Sequence, residues 1–233
     1  MAGLNAARGK RHPVVPLETA STKEMSDLIR QACLVAKDSA ANTGEFIETS
    51  SKMAFLAVKD CEKELDRIER KIDERLASAI TEVTEPEARE LLACLKFIID
   101  LERIGDLNWS VTKRLHVLDS RLLTEDGTEL GAMAKLLEEM LERIYKGFVN
   151  RDTAPASWVI QSDATIDETC KAMFGRHLGA SKKRPREYST ALLLMAQAFE
   201  RAGDHAKNLA EEVFHLVEGR SLRHELARHK QDR

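Results

Sequence analysis

A five-residue motif that occurs twice constrains this chain more than any other feature. Glu-Arg-x-Gly-Asp stands at Glu102 to Asp106 and again at Glu200 to Asp204, 98 residues apart in a chain of 233. Each half of the chain therefore owns one copy. The surrounding segments, 95–115 and 193–213, lack proline and carry apolar residues at three- and four-residue steps, which predicts helices. In the first, Leu95, Ile98, Glu102, Asp106 and Trp109 fall on one narrow stripe, so acids interrupt an apolar face. Phe97, Leu101, Ile104, Val111 and Leu115 form a second, wholly apolar face that serves a core.

The four-residue step sets Glu102 beside Asp106 and Glu200 beside Asp204, and each such like-charge pair costs about 0.2–0.5 kcal/mol. Gly105 and Gly203 add about 0.8–1 kcal/mol each relative to alanine inside a helix. A cation between the acids would reverse the charge penalty, and glycine would permit close helix approach. In a chain with 32% charged residues a lone Glu-x-x-x-Asp reads as a solvated face. Recurrence at matching places in two halves sets these pairs apart.

Composition narrows the class. Five prolines, eleven glycines and only two tyrosines favour long helices over a β-sandwich. A net charge of −3 argues against general nucleic-acid binding. Cys33, Cys61, Cys94 and Cys170 show no CxxC spacing and read as core thiols of a cytosolic protein. No apolar run approaches the length of a transmembrane helix, and the basic N-terminus lacks the apolar core of a signal peptide.

Taken in order, the chain predicts an all-α protein of two tandem three-helix bundles related by a pseudo-repeat. Residues 1–20 read as a flexible tail, 21–122 as the first repeat, 128–219 as the second and 220–233 as a basic C-terminal tail. A Ser21-x-x-Glu24 box opens the first helix, Ser51 caps the second, and Thr84-Glu85-Pro86-Glu87 launches the third. The polar stretch from Thr124 to Thr128 reads as the linker between halves.

The second helix of each half carries acids as well. Glu62 and Asp66 match Asp163 and Asp167 at an offset of 101, close to the 98 of the main motif. Glu69 and Asp73 extend the first pair into an acidic ridge. Four carboxylates around one groove in each half suit hard or borderline cations and can bridge two or more ions. The arrangement parallels carboxylate-bridged di-iron bundles, although Glu-x-x-His is missing here. His205 points well away from Glu200 on a helical wheel and reads as a surface residue. Asn208, one turn after Asp204, lies on the acid side as an outer-shell candidate. The first motif has the shorter Ser110 at that position, which makes the second half the better expected site. No Gly-rich phosphate loop or nucleophile elbow is present, so the chain does not read as an enzyme. A metal oxidase or storage bundle, and a metal-free helical adaptor of another pathway, are the alternatives.

The doubled motif, with acid pairs on the preceding helices, resembles the PhoU family of bacterial phosphate-signalling proteins. The signature Leu-Glu-Arg-Ile-Gly-Asp appears at Leu101 to Asp106, and the second copy continues from Asp204 through Ala206, Asn208 and Leu209. The first copy departs after Asp106, with Asn108 and Ser110 where alanine and asparagine are usual. The resemblance implies two side-by-side three-helix bundles with multinuclear iron or zinc clusters. One cluster would use Glu62, Asp66, Glu102 and Asp106, and the other Asp163, Asp167, Glu200 and Asp204. It also implies a cytoplasmic, membrane-peripheral regulator that restrains phosphate uptake and the starvation response. Its implied partners are the phosphate ABC transporter and the sensor histidine kinase. A homodimer is expected by the same resemblance and from apolar positions such as Trp109.

Overall fold

The computed structural model describes residues 20–81, 83–118, 122–179 and 185–219. They form six helices: α1 (Ala20–Thr49), α2 (Lys52–Ala79), α3 (Glu85–Val117), α4 (Thr124–Asn150), α5 (Thr153–Gly179) and α6 (Arg186–Glu218). Among the described residues there is no strand, and the fold is all-α. Apart from Ala20, which opens α1, the tails at 1–20 and 220–233 lie outside the described residues.

Local chemistry fixes most helix ends. Ser50 turns the chain through a left-handed φ of 54°, and the Ser51 hydroxyl then accepts from Ala54 N at 3.3 Å. At α3 the Glu87 carboxylate accepts from Thr84 N at 2.8 Å, closing the expected box. Arg151 supplies a second left-handed turn, with φ 52°, and Asp152 accepts from Ala154 N at 3.0 Å.

Two boundaries differ from the sequence expectation. Ser21 lies inside α1, and the stretch from Thr124 to Thr128 is the first turn of α4, not a linker. The polarity there has a buried cause. Asp126 is fully buried, accepts from Tyr188 Oη at 2.8 Å, and faces His177 Nε2 at 3.1 Å and Arg176 Nη2 at 3.5 Å. This network ties the start of α4 to the end of α5 and the start of α6. A buried carboxylate needs such partners, and its neighbours in sequence do not reveal them.

Helices α1, α2 and α3 pack on one another, as do α4, α5 and α6. The halves meet through α1 on α4 and α3 on α6, while α2 and α5 remain on the outer flanks. Both seams are antiparallel. Lys37 reaches Glu142 while a Cβ on Gly44 would meet Ala134, and Lys96 reaches Glu212 while Asp100 reaches His205. Phe97 of α3 packs tilted against Phe148 of α4, ring centres 4.9 Å apart, so the core runs unbroken between the halves. The α2–α3 and α5–α6 grooves therefore flank the α3–α6 seam, and these are the grooves that carry the acids.

Candidate functional site

The apolar faces of α2 and α3 set the geometry of the first groove. Leu65, Ile68, Leu101 and Ile104 are fully buried, which turns Glu62, Asp66, Glu69, Glu102 and Asp106 to the partly exposed rim. Gly105 lets the helices approach: a Cβ there would stand 2.5 Å from Leu65 Cδ1. In the second groove a Cβ on Gly203 would stand 3.2 Å from both Ile166 Cδ1 and Asp163 Oδ1. Leu65 and Ile166 correspond at the same offset of 101 that relates Glu62 to Asp163, so the repeat extends to side-chain packing.

The acids of each groove act on one another. Burial first, then Asp106, pushes Glu102 up to about 7, with Glu69 and Asp66 adding from across the groove and Arg103 opposing. Glu62 is raised by burial, then by Asp66 and Asp106. Glu69 is raised by burial, then by Asp73 and Asp66. In the second half, burial raises Glu200 and Asp204, and Asp163 and Asp167 act on both across the groove. The structure thus brings together Glu62, Asp66, Glu102 and Asp106 in one groove and Asp163, Asp167, Glu200 and Asp204 in the other. Ser110 and Asn208 follow Asp106 and Asp204 by one turn, both half-buried.

The positive groups differ between grooves. Arg103 lies 3.5 Å from Glu102 and 3.4 Å from Asp106, but its side chain is 55% exposed. In the second groove Lys207 Nζ donates to Asp163 Oδ2 at 2.6 Å. Asp163 is 3% exposed, and its Oδ1 is buried without a hydrogen-bond partner. A buried carboxylate oxygen left unpaired costs about 1–3 kcal/mol or more unless something occupies its lone pairs.

These donors fit a cation in chemistry: they are oxygen-only, mutually repelling, and in one case orphaned. Among the described residues, however, no three Asp, Glu, His or Cys side chains converge closely enough to hold an ion as they stand. The carboxylates act on one another across each groove without converging on one point. A separate groove of about 850 Å³, bordered by Phe46, His116, Leu123 and Lys135, contains none of these acids.

Sequence reasoning missed three participants. Glu69 was visible only as one step of a ridge, yet it acts directly on Glu102. Lys207 was detectable by aligning the repeats, where it falls opposite Trp109. His205 is not a plain surface residue: its Nδ1 meets Asp100 Oδ1 at 2.7 Å in the α3–α6 seam. The helical wheel placed it correctly away from Glu200 but could not show that another helix lies on that side. Trp109 is likewise half-buried, tilted against Phe55 with ring centres 5.1 Å apart and with Lys113 over its ring.

Fold and grooves together define a protein of two antiparallel, pseudo-equivalent three-helix bundles, each with an acid-lined cleft between its second and third helices. The PhoU domain model matches the chain twice, over residues 29–115 and 130–213. The chain belongs to the PhoU family. A phosphate-specific transport system accessory protein PhoU homolog from Burkholderia sp is 33% identical over 171 residues, covering 70% of this chain and 72% of that one. PhoU homolog 1 of Thermotoga maritima is 29% identical over 216 residues, covering 90% and 92%. In three dimensions the chain is similar to PhoU from Pseudomonas aeruginosa, with a TM-score of 0.79 at 22% identity over 86% of this chain and 99% of that one. The phosphate transport system regulatory protein PhoU of Streptococcus pneumoniae gives 0.78 at 20% identity over 86% and 97%.

Proposed function

We propose that this protein is a metal-binding regulator of phosphate uptake and of the phosphate-starvation response. It acts by contact with the phosphate ABC transporter and its sensor kinase, and not by catalysis. The family supports the phosphate role, since relatives spanning most of the chain are named as accessory proteins of phosphate-specific transport. The observation that carries the metal reading is the pair of self-repelling acid grooves, with Asp163 Oδ1 buried and unpartnered in the second. Glu62, Asp66, Glu102 and Asp106 would hold iron or zinc in the first half, and Asp163, Asp167, Glu200 and Asp204 in the second. The cation would offset the mutual repulsion of these acids, and so would stabilise the folded state by linkage.

The reading places the protein in the cytoplasm, peripheral to the membrane; among the described residues no helix is long and apolar enough to cross one. It includes a homodimer. Exposed Met53, Leu56 and Val117 lie near the corner where Phe55 stacks on Trp109 and His116. A deletion strain tests the regulatory part: phosphate accumulation and starvation-gene expression should both rise in phosphate-rich medium. Unchanged values for both would remove it. Metal analysis tests the other part, and equal iron and zinc contents in wild type and an Asp106→Ala/Asp204→Ala variant would refute the assigned ligands.

A further inference from the structure

We propose that Lys207 is a tethered counter-ion of the second groove, which a metal must displace to enter, so that the first groove loads before the second. This rests on the metal reading above and concerns how that metal is admitted. Lys207 stands three residues after Asp204 on α6, so its ammonium reaches the groove from the same helix as Glu200 and Asp204. It donates to Asp163 Oδ2 at 2.6 Å, while Asp204 and Glu211 attract it as well. Asp163 is buried against α6 where Gly203 has no side chain, so the carboxylate cannot withdraw to water. Its Oδ1 remains unpartnered and buried, a lone pair available to a second positive centre.

The lysine itself is free to leave. Its side chain is 37% exposed, against 4% for the Asp163 it pairs with. At the equivalent position the first groove has Trp109, an uncharged ring tilted against Phe55. Lys113 lies over that ring and acts on Glu62 as a charge, but among the described residues it forms no ion pair with an acid of the groove. Arg103 pairs with Glu102 and Asp106 at 3.4–3.5 Å, but its side chain is 55% exposed. The two halves thus share ligand types but differ in an internal competitor. That difference reverses the ranking expected from Asn208 and Ser110, because a competing charge outweighs an outer-shell amide.

The test uses the full chain, stripped with chelator and titrated with zinc(II) by calorimetry. An Asp66→Asn/Asp106→Asn background isolates the second groove, and an Asp163→Asn/Asp204→Asn background isolates the first. In the former, Lys207→Met and Lys207→Gln should each tighten zinc binding about ten-fold, the effect of removing one charge beside a dication at a partly hydrated site. Glutamine keeps a donor for Asp163, so it serves if methionine disturbs folding, and circular dichroism monitors both. Trp109→Lys in the latter background should weaken the first groove. Second-groove affinity that stays within two-fold, or falls, in both Lys207 variants would overturn the inference while first-groove binding upholds the metal reading. Zinc binding to neither groove in any variant would overturn both.

Discussion

Removing one charge from the first groove should stabilise the metal-free protein. Glu102 is the acid to change, because its side chain is only 13% exposed and it is held up at about 7. The distance from the ordinary 4.5 corresponds to about 3 kcal/mol at 1.36 kcal/mol per pH unit, an upper bound. Asp106, the strongest charge acting on it, is 41% exposed, so solvent screens much of that repulsion. Glu102→Gln should therefore gain about 1–2 kcal/mol at pH 8, or roughly 3–6 °C in Tm for a chain of this size. The sign follows from the raised value. The penalty is fully present above about 7, where Glu102 is charged in both folded and unfolded chains, and is lost below the ordinary 4.5. Stability of the wild type should accordingly rise as pH falls from 8 to 5, and the advantage of the glutamine should shrink to a minor fraction of its pH 8 value at pH 5. The assay is thermal unfolding by circular dichroism after chelator treatment. A variant no more stable than wild type at pH 8, or equally advantaged at both pH values, would refute the reasoning.

Two further perturbations separate packing from charge. Gly105→Ala should cost about 1–2 kcal/mol in chemical denaturation, since the 2.5 Å approach to buried Leu65 outweighs the gain in helix propensity. Gly203→Ala, at 3.2 Å, should change stability by less than about 1 kcal/mol; a larger loss there than at Gly105 would contradict the geometry. Asn108 is fully buried with neither side-chain atom paired, so Asn108→Ala should stay within about 1 kcal/mol of wild type. By contrast, truncating the equally buried Leu101 to alanine should cost about 2–5 kcal/mol, and similar losses for the two would refute the comparison.

Helix positions were legible because periodic apolar faces and caps are local. Ser51 and Thr84 act within three residues of themselves, and both caps form. The segment from Thr124 to Thr128 was misread for the opposite reason. Its acids look like loop residues until Arg176, His177 and Tyr188, about fifty to sixty residues away, are folded against them. His205 illustrates the same limit: a wheel shows which way a residue points, while its partner Asp100 is 105 positions distant.

The acid pairs themselves were legible because they repeat, and the repeat also shows where the two halves have diverged. Asn108 stands where the second half has Ala206, and Thr43 meets Thr112 at 3.5 Å in a buried seam of the first half alone among these equivalent positions. At the offsets of 101 and 98 the second half places Ile144 and Ala210 there, both fully buried. The first half therefore keeps polar groups inside its bundle at these positions and a groove in which, among the described residues, no lysine is hydrogen-bonded to an acid. The second half is apolar at those equivalent positions, keeps its buried polar network at Asp126, and holds its groove partly neutralised by Lys207. Without a cation the repulsion in the first groove is offset by the exposed Arg103 and, at Glu62, by Lys113 and Lys63, whereas the second has an ammonium hydrogen-bonded to one of its acids. Binding a dication should thus change the stability of the first half more than the second. A cation would then act on the two repeats unequally, even though the motif that binds it is nearly the same in both.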